Sequence, residues 1–117
     1  MTRIYLATPY SHEDPAVRAL RFEAINITAA KLMLEGYAVF SPISQSHPIA
    51  EYLPTETGNW DFWQKEDLPF LEVCDWLYVL PIDGWQESVG VRGEIEFAEA
   101  LGIPIKYLDP RDYLGQS

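Results

Sequence analysis

The sequence predicts an α/β fold, a three-layer sandwich in which helices cover both faces of a parallel sheet of four or five strands. Two observations lead to this prediction. Short apolar runs alternate along the chain with longer segments of helical periodicity, which is typical of βαβ units. The apolar runs are also too continuous for a sheet with one face in water, as expected for strands buried on both faces.

Prolines and a glycine mark the first two elements. The run RIYLAT is short, β-branched and aromatic and is stopped by Pro9, so it predicts a buried strand. In the long helix that follows, Asp14 suits the N-cap, Pro15 the first helical position and Gly36 the C-terminal stop. Apolar residues at helical spacing predict its buried face: Phe22, Ile25, Ala29, Leu32 and Met33.

The alternation continues after this helix. YAVFSP predicts a second strand that ends before Pro42, and DWLYVLPI and IPIKYL predict the third and fourth strands. The segment from Ser41 to Asn59 is long for a loop, which is typical of a functional lid or of a segment with short helical pieces. PRDYLGQS is predicted to be a short tail.

Two further segments have helical periodicity. WDFWQKEDLPFLEVC predicts a helix that is broken or restarted near Pro69. SVGVRGEIEFAEALG predicts a helix that begins at a glycine-containing turn and places Glu94 in its first turn. The apolar stripe of this last helix consists of Val91, Ile95, Ala98 and Leu101.

Composition limits the kinds of function. The 117 residues suit one domain, taken as residues 1–117, and 48% apolar content indicates a globular chain. A formal charge of −10 argues against nucleic acid as a partner, because binding a duplex requires a basic face. Small anions remain compatible with this charge, since backbone amides at helix starts can hold them.

The sequence also limits where the protein is expected to be located and which cofactors it is expected to bind. The apolar run in MTRIYLATPY is too short for a signal peptide or a membrane span, which predicts a cytoplasmic protein without a membrane partner. The single cysteine, Cys74, ends an apolar stretch and is expected to be a buried, inert thiol. With no zinc constellation, GxGxxG or Walker pattern in the sequence, neither a metal nor a cofactor is expected.

Residues that can carry chemistry are predicted to meet at one edge of the sheet. Right-handed crossovers bring the carboxyl ends of all the strands to that edge, where ligands of such sheets bind. The loop after Thr8, the loop after Phe40 and the turn from Pro81 to Gly90 converge there. The polar candidates on or near these segments are Tyr5, Thr8, Tyr10, Asp67, Ser88 and Glu94.

Each candidate also has a purely structural interpretation. Glu94 could be a favourable charge near a helix N-terminus, worth under about 1 kcal/mol, and spacing alone leaves this undecided. Spacing alone favours Asp67 as the cap of a restarted helix. Strand tyrosines such as Tyr5 usually pack in the core, and His12 and His47 fall in polar loops, where exposed histidines are the rule.

Taken together, the motifs resemble a known family. YLATPY, the long helix, DLPFLEVCDWLYVL and SVGVRGE…EALGIP are similar to the nucleoside 2-deoxyribosyltransferase superfamily, over nearly the whole chain from Tyr5 to about Leu108. The spacing of Ser88, Gly90 and Glu94 is the most specific part of the likeness. That superfamily includes deoxynucleoside 5′-monophosphate N-glycosidases, and a small, poorly characterised bacterial and phage branch resembles the chain more closely still. The resemblance implies a flavodoxin-like or Rossmann-like sheet.

The resemblance also implies roles for individual residues. Glu94 matches the family's nucleophile, Asp67 the aspartate near the nucleobase, and Tyr5 the tyrosine that positions the nucleophile. Ser88 matches a serine that faces the 5′-phosphate in the nucleotide hydrolases, which favours a 5′-monophosphate. The substrate-binding residues implied in this way are Ser88, Gly90, Thr8, Pro9 and Tyr10.

The implied activity is cleavage of an N-glycosidic bond or transfer of a deoxyribosyl group on a nucleoside or nucleotide, without metal or cofactor, in a homodimer or homotetramer. The chain departs from the family pattern at the predicted phosphate site. The hydrolases carry an arginine in the first loop, which reads PYSHED in this chain, so Arg18 or Arg21 would have to substitute.

Two alternatives to an enzymatic function remain. One is a non-catalytic nucleotide-binding module of the same fold, and the other is a homo-oligomeric interaction protein with an aromatic surface that includes Trp63.

Overall fold

A parallel sheet organises the chain. The structure is a computed structural model that describes residues 1–54 and 59–115. Within these residues four parallel strands pair in the order β2-β1-β3-β4, namely β1 (Arg3–Ala7), β2 (Ala38–Phe40), β3 (Trp76–Val79) and β4 (Ile105–Tyr107). This order matches the first four strands of the flavodoxin-like arrangement, 2-1-3-4-5. The direction of the strand order reverses between β1 and β3. The predicted α/β class with a parallel sheet is confirmed.

The central strand β1 is buried on both faces. Its side chains alternate between the layers, so that Ile4 and Leu6 pack on one side of the sheet while Tyr5 and Ala7 pack on the other. All of these side chains are fully buried. In register, Tyr5 lies between Phe40 of β2 and Leu77 of β3. The alternation therefore directs the Tyr5 hydroxyl into the second layer.

The first layer is formed by α1 (Pro15–Leu34). Its start is as predicted, because the Asp14 carboxylate caps it by accepting a hydrogen bond of 2.9 Å from the amide of Ala16. Ile25, Ala29 and Leu32 are buried against the sheet, and Phe22 is half-buried. The expected burial of Met33 is wrong, since 53% of this residue is exposed. Met33 lies about 100° around the helix from Leu32 and so leaves the buried face.

The second layer consists of α3 (Trp60–Glu72) and α4 (Val89–Leu101), which pack on each other and on the face of the sheet that carries Tyr5. In the predicted stripe of α4, Val91 and Ala98 are buried and Ile95 is half-buried. Leu101 is 49% exposed because the helix ends there, at the left-handed Gly102.

The predicted break at Pro69 is wrong, because α3 continues through this residue to Glu72. Pro69 provides no amide hydrogen for the carbonyl of Lys65, one turn earlier. The helix persists because Leu71, beyond the proline, is fully buried in the second layer. Tertiary packing therefore overrides the local propensity.

The two segments predicted to be a loop and a tail both contain helices. Part of the segment between Ser41 and Asn59 forms α2 (Pro42–Ala50), while its residues 55–58 lie outside the described residues. After β4 the chain forms α5 (Pro110–Leu114), whose Tyr113 packs against the core on the α1 side. Among the helices of residues 1–54 and 59–115, none combines the length and apolar character needed to cross a membrane.

The proline inside α3 leads to a stability prediction. Pro69→Ala should increase the free energy of unfolding by about 1–3 kcal/mol, because it restores a helical hydrogen bond and removes the ring's clash. Urea unfolding measures this change. Pro15→Ala is the matched control: it removes a proline from the first position of α1, where proline is favourable, and should give no gain. A loss of stability in Pro69→Ala would contradict the prediction.

Candidate active site

A cleft of about 960 Å³ opens at the edge of the sheet where the strands end. This volume is in the range of small-molecule sites. Its walls come from the loop after β1, from α2, from the turn between Asp83 and Gly90, and from the sides of α3 and α4. The three segments that were predicted to converge after strands β1, β2 and β3 therefore all line one cleft.

Glu94 lies in this cleft and is only 5% exposed. The Tyr5 hydroxyl donates a hydrogen bond to its Oε2 atom. The predicted placement of Glu94 in the first turn is wrong, because α4 begins at Val89 and Glu94 is its sixth residue, beyond the turn in which a helix dipole acts strongly. Burial and the Tyr5 contact therefore distinguish Glu94 from a surface charge placed for the helix dipole.

The surroundings of Glu94 change its acidity. Burial raises the pKa of Glu94 from an ordinary value of 4.5 to about 8; the hydrogen bond from Tyr5 opposes this increase, and the nearby charge of Asp67 adds to it. Burial, followed by the charge of Glu94, raises the pKa of Tyr5 well above its ordinary value, so Tyr5 remains a donor. The cleft thus holds a carboxyl group with a pKa of about 8, close to neutral pH.

Asp67 is the second carboxyl group of the cleft. It lies inside the continuous helix α3, whose N-cap is Asn59, so its interpretation as the cap of a restarted helix is wrong. Its side chain lines the cleft together with Glu94. Burial, and then the charge of Glu66, raises the pKa of Asp67 to about 6. Two carboxyl groups with perturbed pKa values in one cleft are typical of a functional site.

Ser88 and Gly90 line the cleft at the start of α4. Ser88 is the N-cap of this helix, and its Oγ accepts a hydrogen bond of 3.2 Å from the amide of Val91. Because that contact uses the oxygen as an acceptor, the hydroxyl hydrogen can still be donated to a ligand. The capping role of Ser88 was not anticipated from the sequence, although serine three residues before a helical valine is a recognisable cap signal.

The loop after β1 divides into residues inside and outside the cleft. Thr8 and Tyr10 line it, and the Thr8 hydroxyl donates a 3.5 Å hydrogen bond to the carbonyl of Leu80. Pro9, also expected to bind substrate, is fully buried and is not part of the cleft wall. His12 is exposed at the rim, as expected, where its Nδ1 accepts a hydrogen bond from the amide of Asp14.

His47 does not fit its prediction as an exposed loop residue. It belongs to α2 and is half-buried, with its ring stacked on Phe22 at a centroid distance of 3.9 Å. Its Nδ1 atom is hydrogen-bonded to the Tyr10 hydroxyl. These contacts hold α2 against α1 and orient Tyr10. The polar sequence around His47 gave no indication of this role.

Arg21 supplies positive charge to the cleft. Its guanidinium donates hydrogen bonds of 2.9 Å to the Ser11 carbonyl and 3.1 Å to the Asp83 carbonyl, which ties two loops together. Gly84 permits this contact, because it has a φ of +91° and a β-carbon there would lie 2.5 Å from the Arg21 Nη2 atom. Arg18 donates to the carbonyl of His12 instead and does not line the cleft. Of the two arginines that the sequence left open, only Arg21 faces the site.

Asp75 and Cys74, just before the start of β3, lie outside the cleft wall. The Asp75 carboxylate accepts a 2.8 Å hydrogen bond from the amide of Arg3 at the far end of the sheet. Cys74 is half-buried, less than expected, and burial raises the pKa of its thiol. The thiol therefore keeps its proton and has little nucleophilic character.

Solved structures share this fold. The chain is similar to the 2-deoxyribosyltransferase of the psychrotolerant bacterium Bacillus psychrosaccharolyticus, with a TM-score of 0.64 and 23% identity over 91% of this chain and 71% of that one. It is also similar to a conserved protein from Enterococcus faecalis V583, with a TM-score of 0.56 and 24% identity over 92% of this chain and 62% of that one. The predicted resemblance to the nucleoside 2-deoxyribosyltransferase superfamily is confirmed at the level of the fold.

The family itself is defined by sequence. Residues 2–109 match the family described as "Domain of unknown function (DUF1937)", and the chain belongs to this family. No curated protein matches the chain. Since the two solved structures share less than a quarter of their residues with this chain, they establish the fold, and the function has to be argued from the cleft.

The burial of Glu94 leads to a prediction for stability. Its folded-state pKa of about 8 exceeds its ordinary value of 4.5, so its contribution to stability is complete below about pH 4.5 and is lost as pH rises to about 8. Glu94→Gln should therefore increase the free energy of unfolding at about pH 9, by about 1–3 kcal/mol, and by much less at about pH 4.

Urea unfolding of both proteins across this pH range measures the effect. Glu96→Gln, on the exposed side of the same helix, is the control and should leave the pH dependence of the unfolding free energy as in the wild type. A gain in Glu94→Gln that is equal at both ends of the pH range would show that Glu94 does not carry a raised pKa.

Proposed function

We propose that this protein cleaves the N-glycosidic bond of a nucleoside or nucleoside 5′-monophosphate, by hydrolysis or deoxyribosyl transfer, with Glu94 as the nucleophile. The observation that carries the proposal is a buried glutamate, held by the Tyr5 hydroxyl in a cleft of about 960 Å³. The fold similarity to a 2-deoxyribosyltransferase supports the same class of reaction.

The chemistry suits a carboxylate at this position. As the bond between C1′ and the base nitrogen breaks, positive charge develops on the sugar ring. An ionised Glu94 oxygen can stabilise that charge and bond to C1′, while the electron pair of the broken bond leaves with the base. Attack of water on the resulting ester gives hydrolysis, and attack of a second base gives transfer. The Tyr5 hydrogen bond orients the carboxylate and favours its ionised form.

Asp67 is suited to act on the leaving base. It lines the same cleft, and with a pKa of about 6 part of its population is protonated near neutral pH. A protonated carboxyl group can donate to a ring nitrogen or carbonyl oxygen of the base as the glycosidic bond breaks. An ionised Asp67 can instead orient the base by accepting a hydrogen bond from an amino group.

The 5′ end of the substrate would lie at the start of α4. Ser88, the first amides of this helix and Arg21 favour an anion, as expected for a 5′-monophosphate. Asp83 and Glu87 line the same cleft and disfavour one. A substrate panel therefore has to include both nucleosides and 5′-monophosphates.

The alternative of a non-catalytic nucleotide-binding module has one observation in its favour. With a pKa of about 8, Glu94 is mostly protonated at neutral pH, and a protonated carboxyl group is a poor nucleophile. This function predicts calorimetric binding of nucleotides without release of base over hours.

The first activity prediction concerns Glu94. Chromatography should detect free base released from at least one member of a panel of ribo- and deoxyribonucleosides and their 5′-monophosphates. Glu94→Gln should lower the rate at least about a hundredfold, because it removes the nucleophile while keeping the shape of the side chain. Glu96→Gln, on the exposed side of α4, should leave the rate unchanged. Equal rates in Glu94→Gln and the wild type would exclude Glu94 as the nucleophile.

The second activity prediction concerns pH. If ionised Glu94 is required, kcat/KM of the wild type should rise with pH toward about 8. Tyr5→Phe removes a hydrogen bond that lowers the pKa of Glu94, so the rising limb should move to higher pH. Tyr52→Phe is the control, since Tyr52 is 87% exposed. A limb that stays in place or moves to lower pH in Tyr5→Phe would contradict the assigned role of Tyr5.

A further inference from the structure

Two glycines of α4 lie three residues apart on the side of the helix that faces α3. Gly90 and Gly93 both have negative φ angles, so the backbone conformation does not require glycine at either position. Gly93 also stands in the helix interior, where alanine is the better helix former. A close approach by another part of the molecule is the remaining physical reason for a glycine there.

The approaching group is the indole of Trp60. A β-carbon on Gly93 would lie 2.5 Å from Cζ2, 2.6 Å from Cε2 and 2.8 Å from Nε1 of this ring. These distances are too short for any side chain larger than hydrogen, since a rigid ring cannot bend away. A β-carbon on Gly90 would lie 3.6 Å from the ring, which is an ordinary contact. Gly93 is therefore the position that allows the indole to rest directly on the backbone of α4.

Trp60 is also part of the cleft wall. It is the first residue of α3, it is half-buried, and it lines the cleft together with Trp63 and Asp67. The spacing of these residues, i, i+3 and i+7, places them on one side of the helix. Gly93 directly precedes Glu94 in the chain, so the contact fixes the indole against the backbone next to Glu94, which lines the same cleft.

We propose that Trp60, fixed against Gly93, is the residue that recognises the planar heteroaromatic ring of the ligand by stacking. The identity of this ring as a nucleobase rests on the proposed function. An aromatic side chain that is already immobilised loses little freedom on binding. Stacking uses the faces of the rings and is tolerant of the base, so Trp60 selects for an aromatic ligand rather than for one particular base.

Calorimetric titration of the full chain with free nucleobases tests this inference without any turnover. Gly93→Ala should weaken base binding about 10- to 100-fold, because the added methyl group displaces the indole. Trp60→Ala should weaken it to a similar degree, and Trp60→Phe should weaken it less. Adding Gly93→Ala to Trp60→Ala should cause no further loss, since both changes remove the same stacking surface.

Two controls separate stacking from general damage. Gly102→Ala adds a methyl group at the end of the same helix, where nothing lies within 4 Å but φ is +73°; it should lower stability and leave base affinity unchanged. Ribose 5-phosphate, which carries no base, should bind wild type and Gly93→Ala equally. Circular dichroism checks that each variant is folded. If Gly93→Ala does not fold, the comparison of Trp60→Phe, which retains an aromatic ring, with Trp60→Ala still tests stacking.

The results that would overturn the inference are specific. Wild-type affinity for bases in Gly93→Ala or Trp60→Ala would exclude Trp60 as the stacking residue, as would an equal loss of affinity for ribose 5-phosphate. Failure of the wild type to bind any free base at millimolar concentrations would also exclude it. Absence of base release from both nucleosides and their 5′-monophosphates, with base binding intact and dependent on Trp60, would refute the proposed function and leave this inference standing.

Discussion

The hydrogen bond from Tyr5 to Glu94 is the interaction around which the cleft is built. It joins the central strand of the sheet to the second turn of α4, with both side chains buried. A buried carboxyl group without a partner would be strongly destabilising. In the structure β1 is an interior strand of the sheet, and α4 packs on the face to which Tyr5 points, so strand order and helix placement both contribute to the contact.

Two opposing effects act on Glu94. Removal from water favours the protonated form, while the Tyr5 hydroxyl favours the ionised form; burial is the larger effect and raises the pKa of Glu94 to about 8. A ligand that develops positive charge would add a third effect in favour of the carboxylate. Under the proposed function, an N-glycosidic substrate would supply this third effect, because positive charge develops on its sugar ring as the bond breaks.

Helix α3 brings the other functional groups to the cleft. Trp60 and Asp67 lie on the same side of this helix, and the close contact of Trp60 with Gly93 holds the start of α3 against α4. Continuity of the helix through Pro69 keeps its last turn on the core through Leu71. The same packing thus sets the position of an aromatic surface and of a carboxyl group relative to Glu94.

The sequence by itself determined the sheet, the limits of α1 and the edge where the loops meet, because these follow from periodicity, caps and turns that act over a few residues. Local spacing did not place Asp67 in the cleft or pair Glu94 with Tyr5; before the structure, only the family resemblance implied these positions. The choice of Arg21 over Arg18 was decided by the tertiary structure alone. Tyr5 and Glu94 are 89 residues apart, and nothing in the local pattern around either residue specifies the other. Their contact exists only once the whole sheet has been assembled, since it depends on burial and long-range packing.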